Sequence, residues 1–258
     1  MAQAVALPDS DNKSPLGRAL CVGLDAGMDA RLFFDLALER GFVEPALLIG
    51  EAATCAAVRA ALLEMAALSE PGDLFLLTFS GHGGRKRLPS REVGTWQLYD
   101  GSLNDEQLTS DLAQFREGVR VLVVSDNCGG GLPGSPQSPG GSEGTQSAQS
   151  PRGLENVARH SPPARRLSAP SRPAIEGFLK ASVLVLAACQ QNKYADGAGL
   201  PGHFASAMNR VLKSSGFNGA YAAFHQALCN EMPSYQRPDC YRLGKPNAAF
   251  EAQHPFAI

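Results

Sequence analysis

The segment VLVVSDNCGGG, residues 121–131, places a single cysteine between a run of apolar residues and three glycines. Near-continuous apolar runs of this length are typical of strands that are covered on both faces of a sheet. A structural cysteine would be expected inside such a run, whereas Cys128 follows it, where the edge of the sheet opens to solvent. The segment therefore predicts a buried strand that ends in a turn carrying an accessible thiol.

Similar apolar runs recur along the chain and alternate with patterns of helical spacing. Strands and helices that alternate in this way predict a mostly parallel central sheet with helices on both faces, a three-layer α/β/α sandwich. The strands are predicted at residues 18–24, 46–49, 74–79, 119–124 and 182–187, and helices at residues 29–40, 56–68, 204–212 and 221–231.

A further helix is predicted after Asn104. This residue and Gln107, three positions later, have the spacing of a capping box, in which each side chain binds the backbone N–H of the other residue. Leu112 and Phe115 belong to the apolar stripe of this helix, and Gly118 is expected to end it.

Length and composition fit a soluble globular protein with one large α/β domain or two small ones. The chain has 258 residues, of which 44% are hydrophobic, enough for a sizeable core. We predict an N-terminal extension over residues 1–17 and a single domain over residues 18–258. Residues 132–173 interrupt this domain as a disordered insert, because Ser, Pro, Gly, Gln and Arg dominate the segment and leave almost nothing for a core to bury.

The charge and the N-terminal sequence argue against several classes of partner. A formal net charge of −2 gives no electrostatic reason to expect nucleic acid or an anionic membrane. The N-terminal residues lack the basic start and apolar block of a secretory signal, and no segment approaches the roughly 18 apolar residues of a membrane helix. We therefore expect a cytoplasmic protein whose six scattered cysteines are reduced and form no structural metal site.

A histidine with the properties of a catalytic base follows another predicted strand. His82 lies in LLTFSGHGG, residues 76–84, and has glycine on both sides. A cysteine needs such a base, because its ordinary pKa of about 8.5 leaves only a few per cent of the thiol ionised at neutral pH. The carboxyl ends of parallel strands meet at one edge of a sheet, where ligands bind in open α/β folds. His82 and Cys128 are thus expected to face each other across a cleft.

The pairing of SGHGG with SDNCGGG resembles the caspase-like cysteine peptidases, and within them the metacaspase and bacterial orthocaspase branch. The histidine motif of that branch reads S-G-H-G, and its cysteine motif reads D-x-C-x-S-G. The resemblance implies a cysteine endopeptidase that hydrolyses peptide bonds of peptide or protein substrates with a His82–Cys128 dyad. The backbone N–H groups of Gly83 and Cys128 are the candidates for stabilising the oxyanion.

The resemblance also implies a preference for basic substrates. Members of this branch cleave after Arg or Lys and bind the basic side chain with acidic residues. Asp126 matches the aspartate of the D-x-C motif, Asp29 matches an aspartate at the start of the first helix, and Asp25 is a third candidate. A carboxylate pair would bind a guanidinium in a bidentate manner, so Arg is the preferred residue.

The insert contains arginines that such an enzyme could cleave. We expect self-processing within residues 132–173, in a segment equivalent to the intersubunit linker of the family. The family branch also implies a monomer. No cofactor is expected, although several relatives need calcium, which Asp100 and Asp105 could bind. The candidate cleavage sites follow Arg152, Arg159, Arg165, Arg166 and Arg172.

An alternative from another functional class is a non-catalytic relative that binds peptides or acts as a scaffold. The usual residues after the nucleophile are replaced by Gly129 and Gly130, and the acidic residue that the family carries after its Ala-Cys pair is Gln190. The intact His82–Cys128 pair argues for catalysis. A phosphate-binding loop is set aside, because the glycine turn lacks the Lys and Ser or Thr that a P-loop requires.

Overall fold

The computed structural model describes residues 13–24, 27–87, 92–127, 178–188, 202–214, 216–233 and 236–258. Its strands are β1 (Gly17–Gly23), β2 (Ala46–Ile49), β3 (Leu74–Ser80), β4 (Gly83–Arg87), β5 (Glu92–Leu98), β6 (Gly101–Asn104), β7 (Arg120–Asp126), β8 (Ser182–Ala187) and β9 (Asp239–Gly244). Its helices are α1 (Met28–Glu39), α2 (Cys55–Leu68), α3 (Asp105–Leu112), α4 (His203–Lys213), α5 (Tyr221–Glu231) and α6 (Ala248–Ala252).

Six of these strands form the central sheet, in the order β2-β1-β3-β7-β8-β9. The first five run parallel, and β9 pairs antiparallel with β8 at the edge. Every residue of β3 and β8 is buried, which explains why these strands read as continuous apolar runs. The five strands predicted from such runs are all present, and the predicted mostly parallel sheet is confirmed.

Successive residues of the central strands pack into opposite layers. Leu76 and Leu122 belong to the buried cluster that includes residues of α1, α4 and α5, whereas Phe75 and Val121 belong to the cluster that includes residues of α2 and α3. This alternation follows from the two-residue period of a strand. The result is the three-layer α/β/α sandwich expected from the sequence.

The patterns did not predict two parts of the fold. Strands β4, β5 and β6 form a small antiparallel sheet, and β9 forms the antiparallel edge of the central sheet. The sequence of β4, GGRKR, is polar and its three charged residues are exposed, so it shows no alternation of apolar residues. Trp96 of β5 packs the small sheet against the core, because its ring stacks on that of Phe79 with centroids 4.5 Å apart.

The predicted end of α3 was wrong. The helix stops at Leu112 rather than continuing to Gly118. After it, the ring of Phe115 packs on Phe75 of β3, with centroids 4.7 Å apart, so the chain has already turned toward the sheet. Gly118 serves the following turn, where its φ of 87° is easily adopted only by glycine. Among the described residues, no helix has the length and apolarity needed to cross a membrane.

Candidate active site

Strands β3 and β7 lie side by side, and their carboxyl ends define the candidate site. Ser80 pairs with Asp126 in the parallel register, and the backbone N–H of Gly81 donates to the carbonyl of Asp126 at 3.2 Å. His82 follows Ser80 by two residues, and Cys128 follows Asp126 by two residues in the sequence. The two adjacent strands therefore end in register, two residues before the predicted base and two residues before the predicted nucleophile.

His82 is exposed at the start of the turn into β4. Its carbonyl accepts a hydrogen bond of 2.9 Å from the N–H of Gln97 in β5, and Gly83 pairs with Trp96. The small antiparallel sheet therefore fixes the backbone on the C-terminal side of His82. Because Trp96 stacks on the core residue Phe79, this support is continuous with the central sheet.

Two of the predicted specificity residues meet at the N-terminus of α4. Asp29 lies in the first turn of α1, and its Oδ1 accepts a hydrogen bond of 2.8 Å from the N–H of Gly202. Asp126, the last residue of β7, accepts one from the N–H of Ala205. The two carboxylates come from α1 and β7, almost a hundred residues apart in the sequence. Both accept hydrogen bonds from backbone N–H groups at the start of α4.

Burial and mutual repulsion disfavour the charges of this pair. Burial, followed by the negative charge of Asp29, raises the pKa of Asp126 to about 7, although the N–H of Ala205 acts in the opposite direction. Burial also raises the pKa of Asp29, and the N–H of Gly202 partly offsets that effect. Among the described residues, no cation contributes to the pKa shift of either carboxylate.

One oxygen of the pair has no hydrogen-bond partner in the described part of the chain. This atom is Oδ2 of Asp126, a residue that is only 8% exposed. Buried polar atoms are nearly always satisfied, so an unsatisfied one calls for an explanation such as a ligand. Gly202 lies beside this oxygen, because a Cβ atom built on it would lie 3.0 Å from Oδ2 of Asp126 and 3.0 Å from Oδ2 of Asp29.

Several predicted site residues lie outside the described residues. They are Asp25, the nucleophile Cys128, the residues Gly129 and Gly130, and the candidate cleavage sites Arg152, Arg159, Arg165, Arg166 and Arg172. The predicted insert over residues 132–173 lies outside them as well. Gly202, by contrast, was missed as a site residue. The only signal in the sequence was a helix that starts at glycine, without the usual side-chain cap.

The described residues contain a cysteine–histidine contact away from the candidate site. Sγ of Cys229 lies 3.5 Å from Nε2 of His225 on α5, but this nitrogen also lies 3.1 Å from the carbonyl of Pro238. A carbonyl can only accept, so Nε2 carries the proton and cannot act as a base toward the thiol. Burial raises the pKa of Cys229, and that of Cys21 to about 12, which keeps both thiols protonated.

The two aspartates considered for calcium are used as acceptors for backbone N–H groups. Asp100 Oδ1 accepts from the N–H of Cys55 at 2.7 Å, and Asp105 Oδ2 accepts from the N–H of Gly94 at 3.2 Å. In the described ranges there is no group of three or more His, Cys, Asp or Glu residues that could hold a metal ion.

Comparisons with known proteins agree with this architecture. The family model described as the caspase domain, Peptidase_C14, matches residues 26–247. The structure of protein GSU0716 from Geobacter sulfurreducens is similar, with 28% sequence identity and a TM-score of 0.73, over 95% of this chain and 99% of that one. Caspase-1 from Spodoptera frugiperda shares the fold, with 10% identity and a TM-score of 0.54, over 98% of this chain and 99% of that one. No curated protein sequence matches significantly.

Proposed function

Because the chain belongs to the caspase-domain family of cysteine peptidases, we propose that it is an endopeptidase that cleaves peptide bonds after arginine. Cys128 is the nucleophile of this proposal, and His82 is its base. Asp29 and Asp126 bind the basic side chain of the substrate, and Asp25 is a further candidate for that role. The metacaspase and orthocaspase branch is the part of the family that the motifs favour.

The observation that carries the proposal is the carboxylate pair at the start of α4. Asp29 and Asp126 are buried or half-buried and lack a cationic partner among the described side chains that bind them. An arriving guanidinium would supply the missing positive charge and the donor that Oδ2 of Asp126 lacks. Arginine suits the site better than lysine, because its planar group presents five N–H donors and can bind two carboxylates at once.

The register of the central sheet supports the proposed dyad. The thiolate of Cys128 attacks the scissile carbonyl, and His82 delivers the thiol proton to the leaving amine, which leaves a thioester. His82 then takes a proton from water, the resulting hydroxide cleaves the thioester, and the proton returns to the sulfur. The N–H groups of Gly83 and Cys128 stabilise the oxyanion in both steps.

The proposal extends to the chain's own insert. An arginine-specific site tethered to residues 132–173 meets their arginines at a high effective concentration, so slow self-cleavage is expected there. The enzyme is proposed to be a cytoplasmic monomer that needs no cofactor. Its partners are peptide or protein substrates.

A fluorogenic peptide assay tests this function. Peptides ending in Arg should be cleaved faster than those ending in Lys, and peptides ending in citrulline, the uncharged isostere of arginine, should be cleaved slowly or not at all. Cys128→Ala and His82→Ala should each lower kcat/KM by at least about a thousandfold, since the dyad acts as a unit. A chelator should leave the rate unchanged. Intact mass after prolonged incubation should show self-cleavage in the parent chain and none in Cys128→Ala.

A second candidate function is peptide binding without catalysis, which the replacement of the usual residues by Gly129 and Gly130 favours. The same assay separates the two. Binding of arginine peptides with no turnover, and no difference between the parent chain and Cys128→Ala, would establish the binding module. Absence of both binding and turnover would reject both functions.

A further inference from the structure

Strand β4 leaves the candidate active site directly after His82 and forms one edge of the small antiparallel sheet. The order of that sheet is β4-β5-β6, and among the described strands β4 pairs only with β5. Its three basic residues, Arg85, Lys86 and Arg87, are exposed. The strand therefore has a second edge, which faces away from β5 and begins beside the proposed base. We call it the outer edge of β4.

The hydrogen bonds to β5 show which backbone groups lie on the outer edge. The carbonyl of His82 accepts from the N–H of Gln97 at 2.9 Å, so these two residues form a hydrogen-bonded pair. In an antiparallel ladder such pairs alternate with non-hydrogen-bonded pairs, whose N–H and C=O groups point away from the partner strand. Gly83, which pairs with Trp96, comes next along the chain and therefore directs both groups to the outer edge.

The same alternation is visible in the middle of the strand. Arg85 pairs with Gly94, two residues along from the pair at Gly83. The N–H of Gly94 donates to Oδ2 of Asp105, which directly follows β6, at 3.2 Å. This N–H therefore points away from β4, as it does in a non-hydrogen-bonded pair. The backbone groups of Gly83, Arg85 and Arg87 thus form one row along the outer edge.

The first group of this row is one that the proposed mechanism already uses. The N–H of Gly83 is a proposed donor to the oxyanion, so the scissile carbonyl lies at the outer edge. His82 gives a proton to the leaving amine, which places the residue after the scissile bond beside His82, where β4 begins. The substrate segment beyond the scissile bond then continues along the same strand.

The side chains of β4 give this edge a positive charge. After its two glycines the strand consists of three consecutive basic residues. The residues of β5 that pair with them in register are Gly94, Val93 and Glu92, so a single acidic residue stands opposite three basic ones. Opposite charges on neighbouring strands stabilise their pairing, and like charges destabilise it. The outer edge is therefore suited to a segment that carries acidic residues.

We propose that the outer edge of β4 binds the substrate segment that follows the scissile bond, as an added parallel strand, and that its basic residues select acidic side chains there. This inference rests on the proposed function for the nature of the ligand. Strand addition to a sheet edge combines main-chain hydrogen bonds with side-chain specificity. In a parallel pair, the N–H of Gly83 binds the scissile carbonyl, and its C=O accepts the N–H of the second residue after the scissile bond.

Internally quenched peptides that extend past the scissile bond test the charge preference. One peptide carries glutamate at the third and fourth residues after its single arginine, and a second peptide carries glutamine at both positions. The parent chain should cleave the glutamate peptide with a kcat/KM about threefold to tenfold higher, the combined effect of two or three exposed ion pairs. About 0.5 M NaCl should reduce this ratio to less than about twofold, because salt screens exposed charges.

Charge reversal on the strand should invert the preference. In Lys86→Glu/Arg87→Glu, the glutamine peptide should be cleaved faster than the glutamate peptide, because acidic residues then face acidic residues. The matched control is Lys180→Glu/Lys245→Glu, which makes the same change in net charge at exposed positions beside the N-terminal end of β8. This control should keep the parent's preference within about twofold. An equal shift in both double variants would overturn the proposal, because it would indicate the field of the whole protein.

Methylation of single peptide nitrogens tests the strand pairing and uses the parent chain alone, so it does not depend on the folding of a variant. N-methylation of the second residue after the scissile bond removes the hydrogen bond to the carbonyl of Gly83 and should lower kcat/KM by about tenfold. The N–H of the third residue points away from β4 in this register, so its methylation should cost less than about threefold. Equal losses at both positions would contradict the proposed parallel strand.

A short substrate distinguishes a failure of this inference from a failure of the proposed function. An arginine–coumarin amide has no residue after the scissile bond and reports the proposed peptidase activity alone. If the parent chain cleaves this amide but treats the glutamate and glutamine peptides alike, the role of β4 is wrong and the proposed function stands. If the parent chain cleaves neither the amide nor the peptides, the proposed function is wrong and the inference falls with it.

Discussion

At the scale of single residues, Asp126 contributes to the proposed function and also destabilises the fold. Its carboxylate accepts a hydrogen bond from the N–H of Ala205, but its Oδ2 atom is buried and has no donor in the described chain. A buried polar atom without a partner costs roughly 1–3 kcal/mol of folding free energy. Unfavourable groups of this kind are frequent at functional sites, where a ligand supplies what the protein leaves out.

The raised pKa of Asp126 leads to a prediction about pH. The folded chain keeps this proton up to about pH 7, whereas the unfolded chain releases it near pH 4. Between those values the folded state binds more protons, so the contribution of Asp126 to stability falls as pH rises, by up to about 1.4 kcal/mol per pH unit. Urea unfolding from pH 4.5 to 8 should show this decline.

Asp126→Asn is the matched variant for that measurement. The amide does not titrate, so the decline between pH 4 and 7 should be smaller, and at pH 8 the variant should be more stable than the parent. An unchanged slope would show that Asp126 is not the group responsible. Because an amide is a poor partner for a guanidinium, the same variant should also bind arginine peptides more weakly.

At the scale of elements, α3 and α4 start in different ways. The helix α3 is capped locally: Asn104 Oδ1 accepts from the N–H of Gln107 at 2.9 Å, and Gln107 Oε1 accepts from the N–H of Asn104 at 3.1 Å. The sequence predicted this capping box, and the structure confirms it. The cap of α4 comes from residues distant in sequence, so no local pattern could indicate it.

The local cap of α3 predicts a measurable loss. Asn104→Ala removes the acceptor of the first turn and should lower the free energy of unfolding by about 1 kcal/mol. Ser110→Ala, at an exposed position of the same helix, is the control and should change stability by less than about 0.5 kcal/mol. Equal losses from both variants in urea unfolding would show that the capping box contributes little.

At the scale of the whole molecule, the C-terminal residues complete one layer of the sandwich. Phe256 is fully buried beside α1, α4 and α5, its ring meets that of Phe224 edge-on, and its N–H donates to the hydroxyl of Tyr221 at 3.3 Å. Phe250 of α6 belongs to the same buried cluster. The C-terminal segment, where the sequence patterns predicted no helix or strand, is thus part of the core.

Two phenylalanines with opposite environments test this assignment. Phe256→Ala should lower the free energy of unfolding by about 3–5 kcal/mol, because it removes a buried ring and leaves a cavity. Phe178→Ala changes a ring that is 71% exposed and should cost less than about 0.5 kcal/mol. A loss of less than about 1 kcal/mol in Phe256→Ala, measured by urea unfolding, would show that the C-terminal segment is not part of the cooperative core.

The sequence by itself determined the parallel strands, the alternating helices and the local cap of α3. These features depend on apolar periodicity and on residues three or four positions apart, which one stretch of chain contains in full. The polar strand β4 and the edge strand β9 carry no such pattern, because they form by pairing with a neighbouring strand. Their existence was decided by the tertiary structure.

The candidate site divides in the same way. The sequence singled out Asp29 and Asp126 through a resemblance, and only the fold brought both to the start of α4 and placed Gly202 against one oxygen of each. The close contact of both carboxylates with Gly202 and the unsatisfied oxygen of Asp126 result from the packing of three elements. Neither feature could be predicted from the sequence of any one of these elements.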